Sequence, residues 1–245
     1  MTDISKPLDG RIALVTGASR GVGYQAALGF AKAGAHVVAL ARTVGGLEEL
    51  DDDIQAIGGA TTLVPLDIKD FDALDRLGAT VNERWGRLDI LLGNAGILGT
   101  ATPLAQMKPN VFDDVMAVNV TANYRLLRSF DPLLQASDAG RALFVSSGAA
   151  RSKRSYVAPY AASKAALEVL IQTYAKEVSN TKVCANLVDP GTLRTKMRAQ
   201  YAPGEDPETV TPAEEIVQTL IDLTSPSNTH SGGVYHFPSK DWMDV

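Results

Sequence analysis

Arg11–Gly23, RIALVTGASRGVG, is the stretch whose reading decides the fold. A short β-rich apolar run, Arg11–Thr16, leads directly into three glycines, Gly17, Gly21 and Gly23. A helical pattern over Tyr24–Ala33 follows and stops at Gly34. Strand, glycine turn and helix in this order form the place where a doubly wound sheet holds a pyrophosphate, against free N–H groups at the helix start. Glycine allows the tight turn and lets a ligand approach the backbone. The Gly-x-x-x-Gly-x-Gly spacing differs from the commoner Gly-x-Gly-x-x-Gly, and three glycines alone would equally suit a plain strand-to-helix turn. Their place between this strand and this helix favours nucleotide binding.

Outward from that turn the same alternation continues. Further strands are expected at His36–Leu40, Thr61–Leu66, Leu88–Leu92, Ala142–Val145, Val183–Val188 and Tyr235–Phe237. Helices are expected near Leu47–Ile57, Phe71–Trp85, Asn110–Leu134 and Tyr160–Val178. Strands that are apolar throughout, alternating with amphipathic helices, predict an α/β doubly wound parallel sheet of about seven strands covered on both faces. One dinucleotide-binding and catalytic domain is expected over residues 1–245. Residues 192–211, TLRTKMRAQYAPGEDPETVT, break the rhythm and are expected to form an irregular excursion serving as a substrate lid.

Composition narrows the function classes. The 245 residues are 45% hydrophobic and carry a formal net charge of −5, without the basic surplus of a phosphate-tracking nucleic-acid binder. One cysteine, Cys184, excludes an internal disulfide framework and a cysteine-built zinc site. No run approaches the ~18 apolar residues of a membrane span. The polar start, Met1–Pro7, does not read as a secretory signal, so a cytoplasmic location is expected.

The end of the second strand bears on the coenzyme. A carboxylate there would bind the adenosine ribose hydroxyls and favour NAD. This chain has Ala41-Arg42 instead, and Arg20 lies in the glycine turn. Two guanidinium groups flanking the ribose suit a 2′-phosphate, so NADP(H) is preferred over NAD(H).

Tyr160 and Lys164 are four residues apart, which on a helix places both on one face, and Pro159 suits the first turn. A free phenol, with a pKa near ~10, is a poor proton shuttle at neutral pH, and a nearby ammonium would lower it. Ser146 and Ser147 end an apolar strand where a parallel sheet opens its crevice. Adjacent strand residues point to opposite faces, so only one of the two would reach it.

These motifs together resemble the short-chain dehydrogenase/reductase family along essentially the whole chain. Thr16–Gly23 is similar to its TGxxxGxG turn, Asn94-Ala95-Gly96 to its NAG motif and Tyr160–Lys164 to YxxxK. The resemblance implies that the family's spacing of thirteen residues before Tyr160 selects Ser147 as the catalytic serine, with Ser146 as the alternative. The resemblance implies a tetrad of Asn119, Ser147, Tyr160 and Lys164. In it Asn119 holds a water linking Lys164 to solvent, and Lys164 also grips the nicotinamide ribose. It implies coenzyme contacts from Gly17, Ser19, Arg20, Gly21, Val22, Gly23, Arg42, Ile68, Asn94, Ala95, Gly96, Tyr160 and Lys164. Asp67 would meet the adenine amino group, and Pro190, Gly191, Leu193 and Thr195 would lie beside the nicotinamide. It further implies a homodimer or homotetramer on the long helices around the fifth strand, where Leu126, Leu127, Ala165 and Leu167 serve an interface or the core equally well.

The expected reaction is hydride transfer between NADP(H) and a carbonyl or secondary alcohol, with Tyr160 exchanging the proton and no metal required. The alternative is a catalytically silent NADP(H) sensor. Serine hydrolysis is disfavoured, because there is no Gly-x-Ser-x-Gly and the histidines, His36, His230 and His236, are not placed to serve Ser147. The epimerases use a longer chain, and divergent enoyl reductases a longer Tyr–Lys separation. The C-terminal Gly232–Phe237 lacks the ending of fatty-acid-synthesis ketoreductases, and Asn94–Leu104 with the lid looks closer to a bacterial subgroup with poorly assigned substrates. Tyr156 and Val157 are expected beside Tyr160. Met197 and Tyr201, with Arg194, Lys196 and Arg198, leave the lid compatible with apolar or anionic substrates.

Overall fold

The structure, a computed structural model, describes residues 6–243; the N-terminal residues 1–5 and the last two residues lie outside them. The first strand, β1 (Ile12–Thr16), is followed by α1 (Gly21–Lys32), β2 (His36–Ala41), α2 (Val44–Ala56), β3 (Ala60–Pro65), α3 (Phe71–Trp85) and β4 (Ile90–Gly93). Then come α4 (Pro109–Met116), a π-helical turn at Ala117–Thr121, α5 (Ala122–Ala136), β5 (Arg141–Val145), α6 (Ala149–Ser152), α7 (Ala158–Glu177) and β6 (Cys184–Asp189). The last part holds β7 (Leu193–Arg194), α8 (Lys196–Tyr201), β8 (Thr211–Pro212), α9 (Val217–Thr224), β9 (Val234–His236) and β10 (Asp241–Met243).

Eight strands form one sheet in the order β10-β9-β6-β5-β4-β1-β2-β3, parallel except for the antiparallel β10 at the edge. That eighth strand exceeds the expected seven; at three residues with only partly buried side chains, it is too short to announce itself by periodicity. Strand alternation splits the core into two layers. Leu14, Leu40, Leu91, Phe144 and Leu187 face α3, α5 and α7 residues such as Leu74, Phe130 and Ile171. Val15, Val37, Leu92, Leu143 and Val188 face α1, α2 and α9 residues such as Phe30, Leu50 and Leu220. Leu126, Leu127 and Leu167 belong to the first layer, so they are core rather than an outer face.

Local chemistry sets several boundaries. Asp70 accepts from Ala73 N (2.9 Å) to start α3, and Gly86, at φ +67°, ends it. The expected single helix over 110–134 is interrupted by the π turn, which carries Asn119. Residues 192–211 are not irregular: they form β7, α8, a short 3₁₀ turn (Pro207–Thr209) and β8. Thr195 caps α8 by accepting from Arg198 N, and Arg198 pairs with Glu205 at 2.5 Å. Such short elements are held by caps and ion pairs, and hydropathy alone does not reveal them.

The order reverses between β1 and β4, whose neighbours run on to β2–β3 on one side and β5–β6 on the other. A crevice outside the carboxyl ends of the strands at this switch point is the general ligand site of such sheets.

Candidate active site

Two loops meet at the switch point, and hydrogen bonds lock them together. Thr16 Oγ1 accepts from both Asn94 N and Ala95 N (3.0 Å each), while Asn94 Nδ2 donates to Thr16 O at 2.8 Å. The Asn94 amide therefore clamps the end of β4 onto the end of β1, a structural use that the motif did not disclose. The clamp also explains two glycines. Gly17 turns at φ +68°, and a Cβ at Gly23 would collide with Gly17 O and the Asn94 amide. At the start of α1, Arg20 provides no side-chain cap and no acid occupies the first turn, so the N–H groups of Gly21, Val22 and Gly23 remain suited to an anion. Thr195 lies against Gly21, where an added Cβ would be 3.5 Å from its Cγ2. This brings the excursion after β6 over the glycine turn.

On the adenosine side, Arg42 and Asp67 approach each other at 3.6 Å, both substantially exposed. Asp67 Oδ1 also accepts from Lys69 N at 2.9 Å. Arg20 is exposed and makes no ion pair among the described residues. Gly46 packs against Ser19, where a Cβ would be 2.8 Å from the Ser19 carbonyl, so the start of α2 adjoins the glycine turn. Ile68 is buried in the first core layer and Leu193 in the second. Pro190 and Gly191 follow β6, and Gly191 N donates to Asp189 Oδ1 (3.1 Å) at φ +64°.

The catalytic candidates lie on the other side of the switch point. Ser147 follows β5, and its Oγ accepts from Ala149 N at 3.2 Å. Ser146 is buried and donates to Glu168 Oε1 at 2.5 Å, so its hydroxyl is already engaged. Tyr160 and Lys164 occupy consecutive turns of α7, with Nζ 5.8 Å from the phenol ring centroid. Lys164 is buried and donates to Val145 O at 2.7 Å. Gly96 is close enough that a Cβ there would sit 3.6 Å from Lys164 Nζ and 3.4 Å from Asn119 Oδ1. The NAG loop, Asn119 and the lysine therefore converge.

Asn119 is fully buried and fully occupied. Its Oδ1 accepts from Ile97 N, and its Nδ2 donates to Ile97 O and Ser163 Oγ, all at 2.9 Å. Its backbone carbonyl accepts from Asn123 Nδ2 at 2.8 Å. In this arrangement Asn119 braces the loop after β4 against α7. The π turn suits that role, because a widened helix re-aims a side chain locally.

The electrostatics differ from the expectation that the ammonium acidifies the phenol. Burial raises Tyr160 above the ordinary phenol value, an interaction with the Ser147 hydroxyl opposes the rise and the Asp189 charge adds to it. Burial brings Lys164 down to about 8, with Glu168 pulling it back up. The reason is geometric: Nζ is turned to Val145 O, and desolvation acts on both groups.

Val157 is buried, while Tyr156 is 59% exposed, sits at φ +71° and accepts from Thr102 N at 2.9 Å. Arg194 pairs with Glu208 at 2.5 Å, so two cations of the 192–211 segment, Arg194 and Arg198, are neutralised within it. Gln200 Nε2 donates to Gly99 O at 3.0 Å, reaching the loop after β4. His36 starts β2 beside Thr62, at the opposite strand end from Ser147, and His230 stacks on Trp242. Sequence reading missed Arg151, Glu168 and Asp189, an ion-pair group behind the site in which the two carboxylates are buried and the arginine is partly exposed. Of these only Glu168 carried a signal, at four residues from Lys164 on the same helix face.

A model of the short chain dehydrogenases matches residues 11–206. The chain is 38% identical over 230 residues to the uncharacterized oxidoreductase YciK of Escherichia coli K12, covering 93% of this chain and 91% of that protein. Among solved structures, a short chain dehydrogenase from Shigella flexneri complexed with NADP superposes with a TM-score of 0.91 at 35% identity, covering 95% and 98% of the two chains. Another from E. coli CFT073, complexed with NADPH, gives 0.89 at 34% identity, covering 96% and 99%. The family match over residues 11–206, with 38% identity carried over nearly the full length of YciK, places this chain in the short-chain dehydrogenase/reductase family of oxidoreductases.

Proposed function

We propose that this protein is an NADP(H)-dependent oxidoreductase that moves a hydride between the coenzyme and a carbonyl or secondary alcohol. The observation that carries the reading is the convergence of Ser147, Tyr160 and Lys164 on the crevice side that adjoins the glycine turn. The uncapped start of α1 suits the pyrophosphate. Arg20 and Arg42, both exposed, suit the 2′-phosphate. The relatives complexed with NADP and NADPH support the same coenzyme here. Bound there, the nicotinamide supplies or takes up the hydride.

The protein's own residues control the proton. Ser147 and Tyr160 would hydrogen-bond the substrate oxygen, where negative charge develops during reduction. The Tyr160 phenol, held protonated by burial, is the proton donor, and it takes the proton back in the alcohol-oxidising direction. Lys164, brought to about 8, lies close enough to neutrality to exchange protons with the phenol and to bind ribose hydroxyls. Asn119 holds the loop at Ile97 and the helix at Ser163 in register. The segment 192–211 acts as a substrate lid, with Gln200–Gly99 as its contact across the mouth. Tyr124 on α5 and Val169 on α7 are outward and apolar, consistent with a homodimer or homotetramer.

A panel of aldehydes and ketones with NADPH, followed by loss of its absorbance, tests the reading. Turnover of at least one compound by the native protein and its loss in Tyr160→Phe is the expected result. Tight NADPH binding without turnover of any compound would instead identify a coenzyme sensor.

A further inference from the structure

Behind Tyr160 lies a charged cluster that the hydride reaction does not use directly. Arg151, on the short helix α6, donates through Nη2 to Asp189 Oδ2 at 2.5 Å and pairs through Nη1 with Glu168 Oε1. Glu168 Oε1 also accepts from Ser146 Oγ at 2.5 Å. Asp189 keeps its second oxygen for Gly191 N (3.1 Å). Ser146, Glu168 and Asp189 are each less than a tenth exposed. Burying two carboxylates this way is costly unless a cation and hydrogen bonds satisfy them, and Arg151 is the cation that reaches both.

Each member adjoins a piece of the site. Ser146 precedes Ser147, Glu168 lies one turn beyond Lys164 on α7, and Asp189 ends β6 immediately before Pro190-Gly191. We propose that Arg151 is a positioning residue that bridges Glu168 and Asp189 and thereby keeps the charge of two buried carboxylates away from the Tyr160 phenol and the Lys164 ammonium. The groups that face this region come from four elements: Tyr160, Lys164 and Glu168 from α7, the Ser147 hydroxyl from the end of β5, Asp189 from β6 and Arg151 from α6. Asp189 already makes the phenol harder to ionise, and Glu168 already holds the lysine up. Without Arg151 both effects would grow. A lysine would not replace it, since a single ammonium cannot offer the planar fork that spans two carboxylates.

Charge counting yields the test. Arg151, Glu168 and Asp189 together carry one formal negative charge. Arg151→Met raises this to two, Asp189→Asn lowers it to zero, and the double variant returns it to one. The inference rests on the reading of Tyr160 as the proton donor, but its test needs no substrate: alkaline titration of the near-ultraviolet tyrosinate band, with Tyr160→Phe subtracted in each background. Arg151→Met should move the Tyr160 midpoint up by about one pH unit, as expected for an uncompensated nearby charge. Asp189→Asn should move it down, and the double variant should restore the native value. An unmoved midpoint in a folded Arg151→Met protein would overturn the proposal. Should that variant fail to fold, an unmoved or raised midpoint in Asp189→Asn would overturn it equally. Loss of the functional reading would appear separately, as carbonyl turnover that survives in Tyr160→Phe.

Discussion

The two sides of the crevice are built on different principles. On the catalytic side, Asn119 and Lys164 are buried, every side-chain donor and acceptor of Asn119 has a partner, and the carboxylates behind are ion-paired. On the adenosine side, Arg20 and Arg42 stand in solvent, and Arg42 meets Asp67 only at 3.6 Å. An exposed pair at that separation contributes at most about 1 kcal/mol and weakens with salt. In the proposed reading, the groups that hold a proton are fixed before the ligand arrives, and the arginines that would meet a phosphate stay hydrated until it binds. Substitutions on the first side should therefore be felt as lost chemistry or lost stability, and on the second as altered coenzyme choice.

The sharpest way to break that contrast is Tyr160→Phe. Removing the proton donor should lower turnover by roughly 10²–10⁴-fold, the usual contribution of a positioned acid, while NADPH binding by fluorescence titration changes little. An equal loss of coenzyme binding would mean that the phenol belongs to both sides. Next in size is Asn119→Ala, which would leave Ile97 N, Ile97 O and Ser163 Oγ without their buried partners. Urea unfolding should show a loss of about 2–4 kcal/mol; a loss under ~0.5 kcal/mol would show that the brace is dispensable.

Lys164 makes a pH prediction whose sign follows from burial. The folded protein releases its proton near pH 8, whereas an exposed lysine does so near ~10.4. Between those values the unfolded chain holds more protons, so this residue's contribution to stability rises with pH. Relative to Lys164→Met, the native protein should gain on the order of 2–3 kcal/mol from pH 8 to pH 10.5. A flat difference would mean that the ammonium is not desolvated. The smallest effect belongs to the exposed side: Arg42→Ala should shrink the preference for NADPH over NADH by about 1–3 kcal/mol at low salt, and by less at high salt. An unchanged ratio would transfer the selectivity to Arg20.

Much of this was legible before folding. Apolar strands separated by helical patterns announce a two-faced parallel sheet, because each period records which side must be buried. The predicted Phe71–Trp85 helix matches α3, since Asp70 suits its start and Gly86 its stop. The sequence of 192–211 does not reveal β7, α8 and β8, because they are only two to six residues long. The clamp by Asn94 and the Asn119 brace join loops more than twenty residues apart, so no local pattern encodes them.

The linear order of residues was sufficient for the architecture, the glycine turn and the placing of Tyr160 and Lys164 on consecutive turns of one helix, because all three rest on spacing along one strand, turn or helix. What only the folded chain decided is where protons and charges reside: which serine is tied to Glu168, where Lys164 Nζ points, and how Arg151, Glu168 and Asp189 meet from three elements. Burial and charge pairing depend on distances through space, and sequence separation does not report those distances.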